Sequence, residues 1–353
     1  MVHLLFAVSF AVSIWVETSN ASAVPSNHFT VLACHRLPGD HDWPSHAEWT
    51  RLNATVGGRL TAGVPLGQVC QTPDYDTDAC DQVQEQWTQV PIYFQNPVNV
   101  MSPYRQNNSC NPFSLPNSTC ILGNIASYAI NITGAADAIA GVKFAMKKNI
   151  RLSVKNTGHD YIGLSAGRSS LGLWTHNLKS ISFFNYSSSV YTGPAVRLGA
   201  GVQAIELYGS ATEKNLRVTA GYCPTGGVVG GYVQTAGRGP LEGQYGLAAD
   251  NTLEFEVVTT KGEHLVANPE QNSNLFWALN GGGGGTYAIV ISQTTRAHAD
   301  RPVAGGSLTF NKTDDDTFYS AIEAWQKHLL VFDDIAGWNC ERASTTTASA
   351  STR

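Results

Sequence analysis

The sequence contains no run of lysine or arginine, and charged residues of every kind make up only 14% of it. With a formal net charge of -5 at pH 7 it carries no basic footprint, which excludes nucleic acid as a partner class. Beyond residue 16 no apolar stretch is long enough to cross a bilayer, so no membrane-spanning segment is expected in the mature chain. Histidine and cysteine occur, but His159, His176 and Cys223 stand at spacings that match no compact zinc pattern, and a secreted metal-binding module is the weakest of three functional classes.

What is present begins with an apolar run from Leu4 to Val16, too short for a membrane span and followed by the small-residue cleavage pattern Ala21-Ser22-Ala23. Residues 1–23 read as a signal peptide and the protein as secreted, although His3 stands where a basic residue usually does, and an uncleaved anchor is the alternative. Seven cysteines suit an oxidising compartment. The short loops Cys70/Cys80 and Cys110/Cys120 are the expected bridges, leaving Cys34, Cys223 and Cys340. Sequons at Asn53, Asn107, Asn117, Asn131, Asn185 and Asn311 agree with a secreted glycoprotein.

Texture divides the rest. Residues 24–120 are rich in Pro, Asn, Asp and Gly and read as a loop-rich, disulfide-stapled segment. From 121 to 298 short β-rich stretches alternate with helical ones: SYAINI (127–132), a helix over Ala135–Lys148 stopped by Asn149, IRLSVKN (150–156), LGLWT (171–175), ISFFNY (181–186) and AVRLGAGV (195–202). A helix near Gln203–Lys214 leads into RVTAGY (217–222). A hairpin turns at Lys261-Gly262, a helix includes LFWAL (275–279), and TYAIVISQTT is a long strand. Residues 299–335 hold the strand SLTF and a helix over Asp314–Leu330, capped by Thr313, with Phe318, Ile322, Trp325 and Leu329 on one face. Residues 336–353 offer no core face and read as disordered.

Three glycine-rich segments carry chemistry. KNTGHDYIGLSAG (155–167) runs from a strand into a turn that can present consecutive backbone N–H groups to a pyrophosphate, with His159 at its head. GYCPTGGVVGGYVQTAGRGP (221–240) sets Cys223 before a glycine cluster and a candidate helix start near Val228, a second place suited to phosphate. On this stretch alone that reading stands level with a structural one, in which Cys223 is a buried thiol or a disulfide partner of Cys34. ALNGGGGGTYAIVIS (278–292) lacks the P-loop ending and follows a helix instead of opening one, so close backbone packing on a ligand or strand is the better reading.

Taken in order, NTGHD, WTHNLKSI, GYCPTGGVVGG, YGLAADNTLEFEVVT and LFWALNGGGGGTYAIV resemble the FAD-binding domain of the vanillyl-alcohol-oxidase and berberine-bridge-enzyme superfamily, in its secreted fungal form. The resemblance implies an α+β fold: a PCMH-type FAD-binding domain of two α/β subdomains over 121–298, followed by an incomplete substrate domain. It implies FAD as cofactor, bonded through His159 to the flavin 8α-methyl and through Cys223 to its 6-carbon, the two side chains facing each other across one cleft at about the width of a flavin ring. It assigns cofactor contacts to Asn156, Thr157, Gly158, His159, Asp160, Gly163 and Ser165, then to Cys223, Thr225, Gly227, Gly230, Gly231, Gly237 and Val258.

The activity implied is oxidation of an alcohol, sugar or biosynthetic intermediate, with electrons passed to oxygen. The partners are thus a small-molecule substrate and oxygen. The resemblance leaves the catalytic base unassigned: His176 and Tyr161 are polar groups near the flavin turn and read as structural. It also leads one to expect cysteines where Arg36 and Asp42 stand, and a substrate domain longer than this chain encodes. A flavin-binding remnant without turnover is therefore the alternative function. SLTF would then lie at an unprotected sheet edge and the last helix would leave its apolar face exposed.

Overall fold

The computed structural model describes residues 34–101, 109–303, 308–312, 314–335, 342–344 and 349–352. The expected signal peptide, Asn107, Thr313 and Cys340 lie outside the described residues. The elements below belong to the unit His35–Arg353.

The α+β expectation holds, built on two larger sheets. The first has the order β1-β2-β4-β3, formed by Leu60–Ala62, Tyr128–Asn131, Leu152–Lys155 and Leu171–Trp174. β4 lies parallel to both β2 and β3, and β1 pairs antiparallel with β2. The chain passes from β2 to β3 through the helix Ala135–Lys148, as parallel strands require a crossover. Asn149 ends that helix in the left-handed conformation (φ 49°), its N–H bonded back to Ala145 O and Met146 O.

The second sheet is antiparallel: Ile181–Ser187 (β5), Thr192–Gly199 (β6), Thr252–Thr259 (β8), His264–Ala267 (β9) and Ala288–Arg296 (β10), ordered β5-β6-β10-β8-β9. Between these in sequence, Leu216–Arg217 (β7) pairs with His298–Ala299 (β11), so of the expected strand 217–222 only Arg217 is in this ladder. The expected hairpin forms, with Gly262 at φ 76° in its turn.

Period-two alternation explains how this sheet is sandwiched. Phe255, Val257 and Val290 enter one core with Leu207, Val229 and Leu279, whereas Val258, Ile289 and Ile291 enter another with Ile130, Val142 and Leu173. Eight successive residues of β10 are buried as a result. Each such side chain contributes about 1.5–3 kcal/mol of burial free energy.

The segment 24–120 is less loop-like than its composition suggests. Helices span His46–Thr55, opened by a Ser45/Glu48 capping box, and Thr77–Gln86, capped by the Asp76 carboxylate on Ala79 N–H. The first buries only Trp49 and Leu52, and the second only Cys80, too few apolar positions to show a period in the sequence. Both expected disulfides form, Cys70–Cys80 and Cys110–Cys120.

At the far end the helix spans Asp315–Asp333, and its cap is Asp314, which accepts Thr317 N–H at 2.8 Å. It buries none of its residues: Leu330 is 78% exposed, and Phe318, Ile322 and Trp325 are half-buried. The ending departs from the expectation of irregularity. Leu308–Asn311 (β12), Arg342–Ser344 (β13) and Ser349–Thr352 (β14) make a small antiparallel sheet ordered β12-β14-β13. β12 falls on the expected strand SLTF, whereas the serine, threonine and alanine of β13 and β14 carry no apolar alternation, so those two strands left no trace in the hydrophobic pattern.

Candidate functional site

The three glycine-rich segments meet around one cavity of about 670 Å³, within the size range of small-molecule sites. β3 delivers the first of them. Asn156 follows Lys155 and is pinned by its amide, Nδ2 donating to Thr175 Oγ1 at 3.1 Å and Ala200 O at 2.5 Å. Its Oδ1 is buried with no hydrogen-bond partner. Gly158 then turns the chain at φ 92°, which puts His159 on the cavity wall.

The following turn is organised from within. Asp160 accepts N–H bonds from Ile162, Gly163 and Ser165 at 3.0, 3.0 and 2.6 Å, and the Ser165 hydroxyl at 2.8 Å. These amides are therefore taken by the chain's own carboxylate and not offered in succession to a pyrophosphate, the correction being an Asx-type turn that the sequence pattern permits equally.

The second segment sits on the helix Ala204–Thr212. Ala204 N–H donates to Gly226 O and Ile205 N–H to Pro224 O, so the first amides of that helix hold the loop carrying Cys223. The expected helix start at Val228 is instead a single π-turn, Val228–Tyr232, with Gly230 in non-helical conformation (ψ -130°). Five residues make no useful macrodipole, so no helix dipole favours a phosphate there. Asn156 packs into this turn: a Cβ on Gly227 would stand 2.1 Å from its Oδ1, and one on Gly230 2.8 Å from its Cγ.

Gln234 joins the second segment to the third. Its Nε2 donates to Val229 O and Gly230 O, its Oε1 accepts Gly285 N–H, and its backbone carbonyl accepts Gly283 N–H. The five-glycine run thus packs backbone on backbone, Gly284 against Gly231. Gln234 is buried and lines the cavity, and no sequence signal marked it.

His159 and Cys223 are brought together. Cys223 Sγ lies 3.9 Å from His159 Nε2, and Thr225 Oγ1 touches both, at 3.5 and 2.8 Å. They occupy one patch of wall and do not face each other across a ring's width, because Thr225, two residues after Cys223, draws the loop onto the imidazole. Cys223 is a thiol in no disulfide, which removes the Cys34–Cys223 bridge. Burial lowers the His159 pKa below the ordinary value, against a smaller raising effect of its bond to Thr225, and favours neutral imidazole.

Of the other predicted contacts, Asn156, Thr157, Gly158, Asp160, Ser165, Gly227, Gly230 and Gly231 line the cavity. Gly163 belongs to the Asp160 turn, and Thr225 is not on the wall but touches His159 and Cys223, which are. Gly237 (φ 74°) packs on Ala248 and Tyr232 away from the wall, and Val258 is buried in the core. Tyr161 is on the wall and 65% exposed; His176 is not on it. Among the described residues no cluster of three or more His, Cys, Asp or Glu could hold a metal, and no helix is long and apolar enough to cross a membrane.

His176 is buried beside the rings of Phe94 and Trp174, with Nδ1 unpartnered. Burial, with Lys179 and Lys155 nearby, pushes its pKa down to about 4. An unfolded chain takes up that proton near pH 6.5, the native chain only near 4, so stability falls as pH drops through this window. We expect His176 to account for roughly 3 kcal/mol of stability lost between pH 7 and 4. Denaturant unfolding across that range checks it, with His176→Phe expected to flatten the slope.

Comparison with known proteins agrees with this geometry. Residues 126–268 match the family model of an FAD binding domain. The chain is 47% identical over 326 residues to the VAO-type flavoprotein oxidase VAO615 of Thermothelomyces thermophilus, covering 90% of this chain and 56% of that protein. It is 49% identical over 246 residues to the FAD-linked oxidoreductase sthB of Phaeosphaeria nodorum, covering 68% of this chain and 78% of that one. Among solved structures, the VAO-type flavoprotein MtVAO615 from Myceliophthora thermophila C1 superposes with a TM-score of 0.85 at 44% identity, over 91% of this chain and 59% of that one. A variant of berberine bridge enzyme, at 21% identity and a TM-score of 0.59 over 85% of this chain and 54% of that one, shares the fold. The chain thus spans little more than half the length of several relatives it matches.

Proposed function

Because the chain belongs to the FAD-linked oxidoreductases of the vanillyl-alcohol-oxidase type, we propose that its cavity holds FAD with the flavin's reactive edge against His159 and Cys223, bonded to both. The observation that carries this reading is the pair itself, a depressed-pKa imidazole and a thiol 3.9 Å apart on the wall of the cavity. The residues fit the group: Gly227, Gly230 and Gly231 leave the wall without side chains, and Gly158 turns His159 into the cavity. When bound, FAD supplies two-electron oxidation of a substrate carbon and passes the electrons to oxygen.

The chain's own residues bind and orient. Asn156, Thr157, Gly158, Asp160, Ser165 and the glycines of 227–231 shape the bed, with Gly163 and Thr225 behind them. Neutral imidazole at His159 is the nucleophilic form, and Thr225 Oγ1 fixes its ring. The full-length activity we propose is that of a secreted glycoprotein oxidase acting on an alcohol, sugar or biosynthetic intermediate; the two disulfides suit that compartment.

Acid precipitation of the purified protein tests the central claim. Yellow colour should stay with the pellet, and addition of oxidisable alcohols should release hydrogen peroxide; a colourless pellet from a yellow solution refutes covalent attachment. Cys223→Ala is expected to leave flavin attached through His159 alone, with a shifted visible spectrum and covalent content unchanged within about twofold. Peptide mass spectrometry reads the remaining bond directly.

A further inference from the structure

Lys155 closes β3, an edge strand whose alternate residues Ser153 and Lys155 point to the buried side. It is only 1% exposed, and among the described residues no carboxylate is paired with it. Its Nζ donates to the backbone carbonyls of Tyr93 (3.0 Å) and Asn96 (2.8 Å) and stands 5.8 Å from the centroid of the Trp174 ring. Burying an amine without an anion is costly, and burial pushes this one down to about 7. An apolar side chain would fill the same slot without that cost, so the two carbonyls must matter.

Both carbonyls belong to the segment 93–101, upstream of the FAD binding domain match at 126–268. Asn96 Oδ1 holds that segment in shape, accepting Val98 N–H, Asn99 N–H and Asn99 Nδ2–H. Asn99 Nδ2 also donates to Val64 O. The segment then reaches the His159 turn: Met101 N–H donates to Gly158 O at 3.0 Å. A Cβ on Gly158 would meet Lys155 Cε at 3.1 Å and Asn99 O at 3.5 Å, so the turn rests its back on both.

We propose that Lys155 is a positioning residue, which grips the carbonyls of Tyr93 and Asn96, seats the 93–101 segment behind Gly158 and thereby sets the direction in which His159 faces the cavity. Its functional consequence rests on the covalent-flavin reading; its structural consequence does not. Without the grip the turn loses its backing, and His159 samples directions from which it cannot reach a ligand.

The test uses the full chain with Lys155→Met, which keeps length and apolar bulk but removes the donors, and Lys155→Arg, which keeps donors. Hydrogen exchange on flavin-free protein should show the amides of residues 158–163 exchanging at least tenfold faster in Lys155→Met, with the amides of β8 and β10 unchanged. In flavin-loaded protein the covalent fraction at His159 should fall at least tenfold, and Lys155→Arg should restore it to within about threefold of wild type. Equal exchange and equal attachment in Lys155→Met, or Lys155→Arg behaving as badly as Lys155→Met, overturns the assignment. If Lys155→Met does not fold, Asn96→Ala carries the same exchange expectation, and unchanged protection there overturns it too. If wild type itself carries no flavin on His159, the functional reading fails while the exchange experiment still decides the role of Lys155.

Discussion

In His159→Ala the bond between imidazole and flavin disappears entirely, and covalent flavin falls to whatever Cys223 alone retains. In the double variant with Cys223→Ala, acid precipitation should give a colourless pellet. The imidazole is the better placed of the two, being half-buried and hydrogen-bonded to Thr225 at 2.8 Å, whereas Cys223 is exposed. The expected effect on turnover follows from electronics: a substituent bond that raises the flavin potential by about 30 mV favours a two-electron oxidation by about 1.4 kcal/mol, so loss of both should slow substrate oxidation by tenfold or more. The depressed pKa of His159 adds a pH signature. Its neutral form persists to lower pH than that of an ordinary histidine, so attachment should decline with acid at a lower pH than the titration of an unburied imidazole would give. Flavin found by mass spectrometry on another histidine peptide would show that the site is misassigned.

The parts of this molecule legible in the sequence are those in which one local rule decides the outcome. Cys70–Cys80 and Cys110–Cys120 are short closed loops, and the helix Ala135–Lys148 has both a helical period and a left-handed asparagine at its end. The turn at Gly158-His159 was marked by glycine and by a strand before it. What could not be read depends on contacts between distant segments. Lys155 looks like an ordinary strand lysine until the 93–101 segment covers it, and Gln234 acquires its bridging role when the five-glycine run packs on it. The Asp160 turn shows a different limit: a glycine-rich stretch states that backbone amides are accessible, not whether a ligand or a neighbouring carboxylate takes them.

Gly227→Ala should be the most damaging single-methyl change on the cavity wall. Backbone strain is not the cause, since Gly227 has φ -75° and ψ 110°, which alanine adopts freely. The methyl group would instead stand 2.1 Å from Asn156 Oδ1 and 3.3 Å from Thr157 Cγ2. Asn156 cannot swing aside at little cost, because Nδ2 is tied to Thr175 Oγ1 and Ala200 O. Breaking those bonds strands buried polar groups at about 1–3 kcal/mol, and overpacking adds a similar amount, so a loss of roughly 2–6 kcal/mol is expected. The displaced asparagine would also shift the start of the His159 turn, so flavin content should drop with stability. A double-variant cycle separates this account from general damage to the loop. Asn156→Ala removes the side chain that the methyl strikes, so Asn156→Ala/Gly227→Ala should be scarcely less stable than Asn156→Ala alone, a coupling of at least about 1 kcal/mol. Additive losses measured by denaturant unfolding would mean that the methyl meets something other than Asn156.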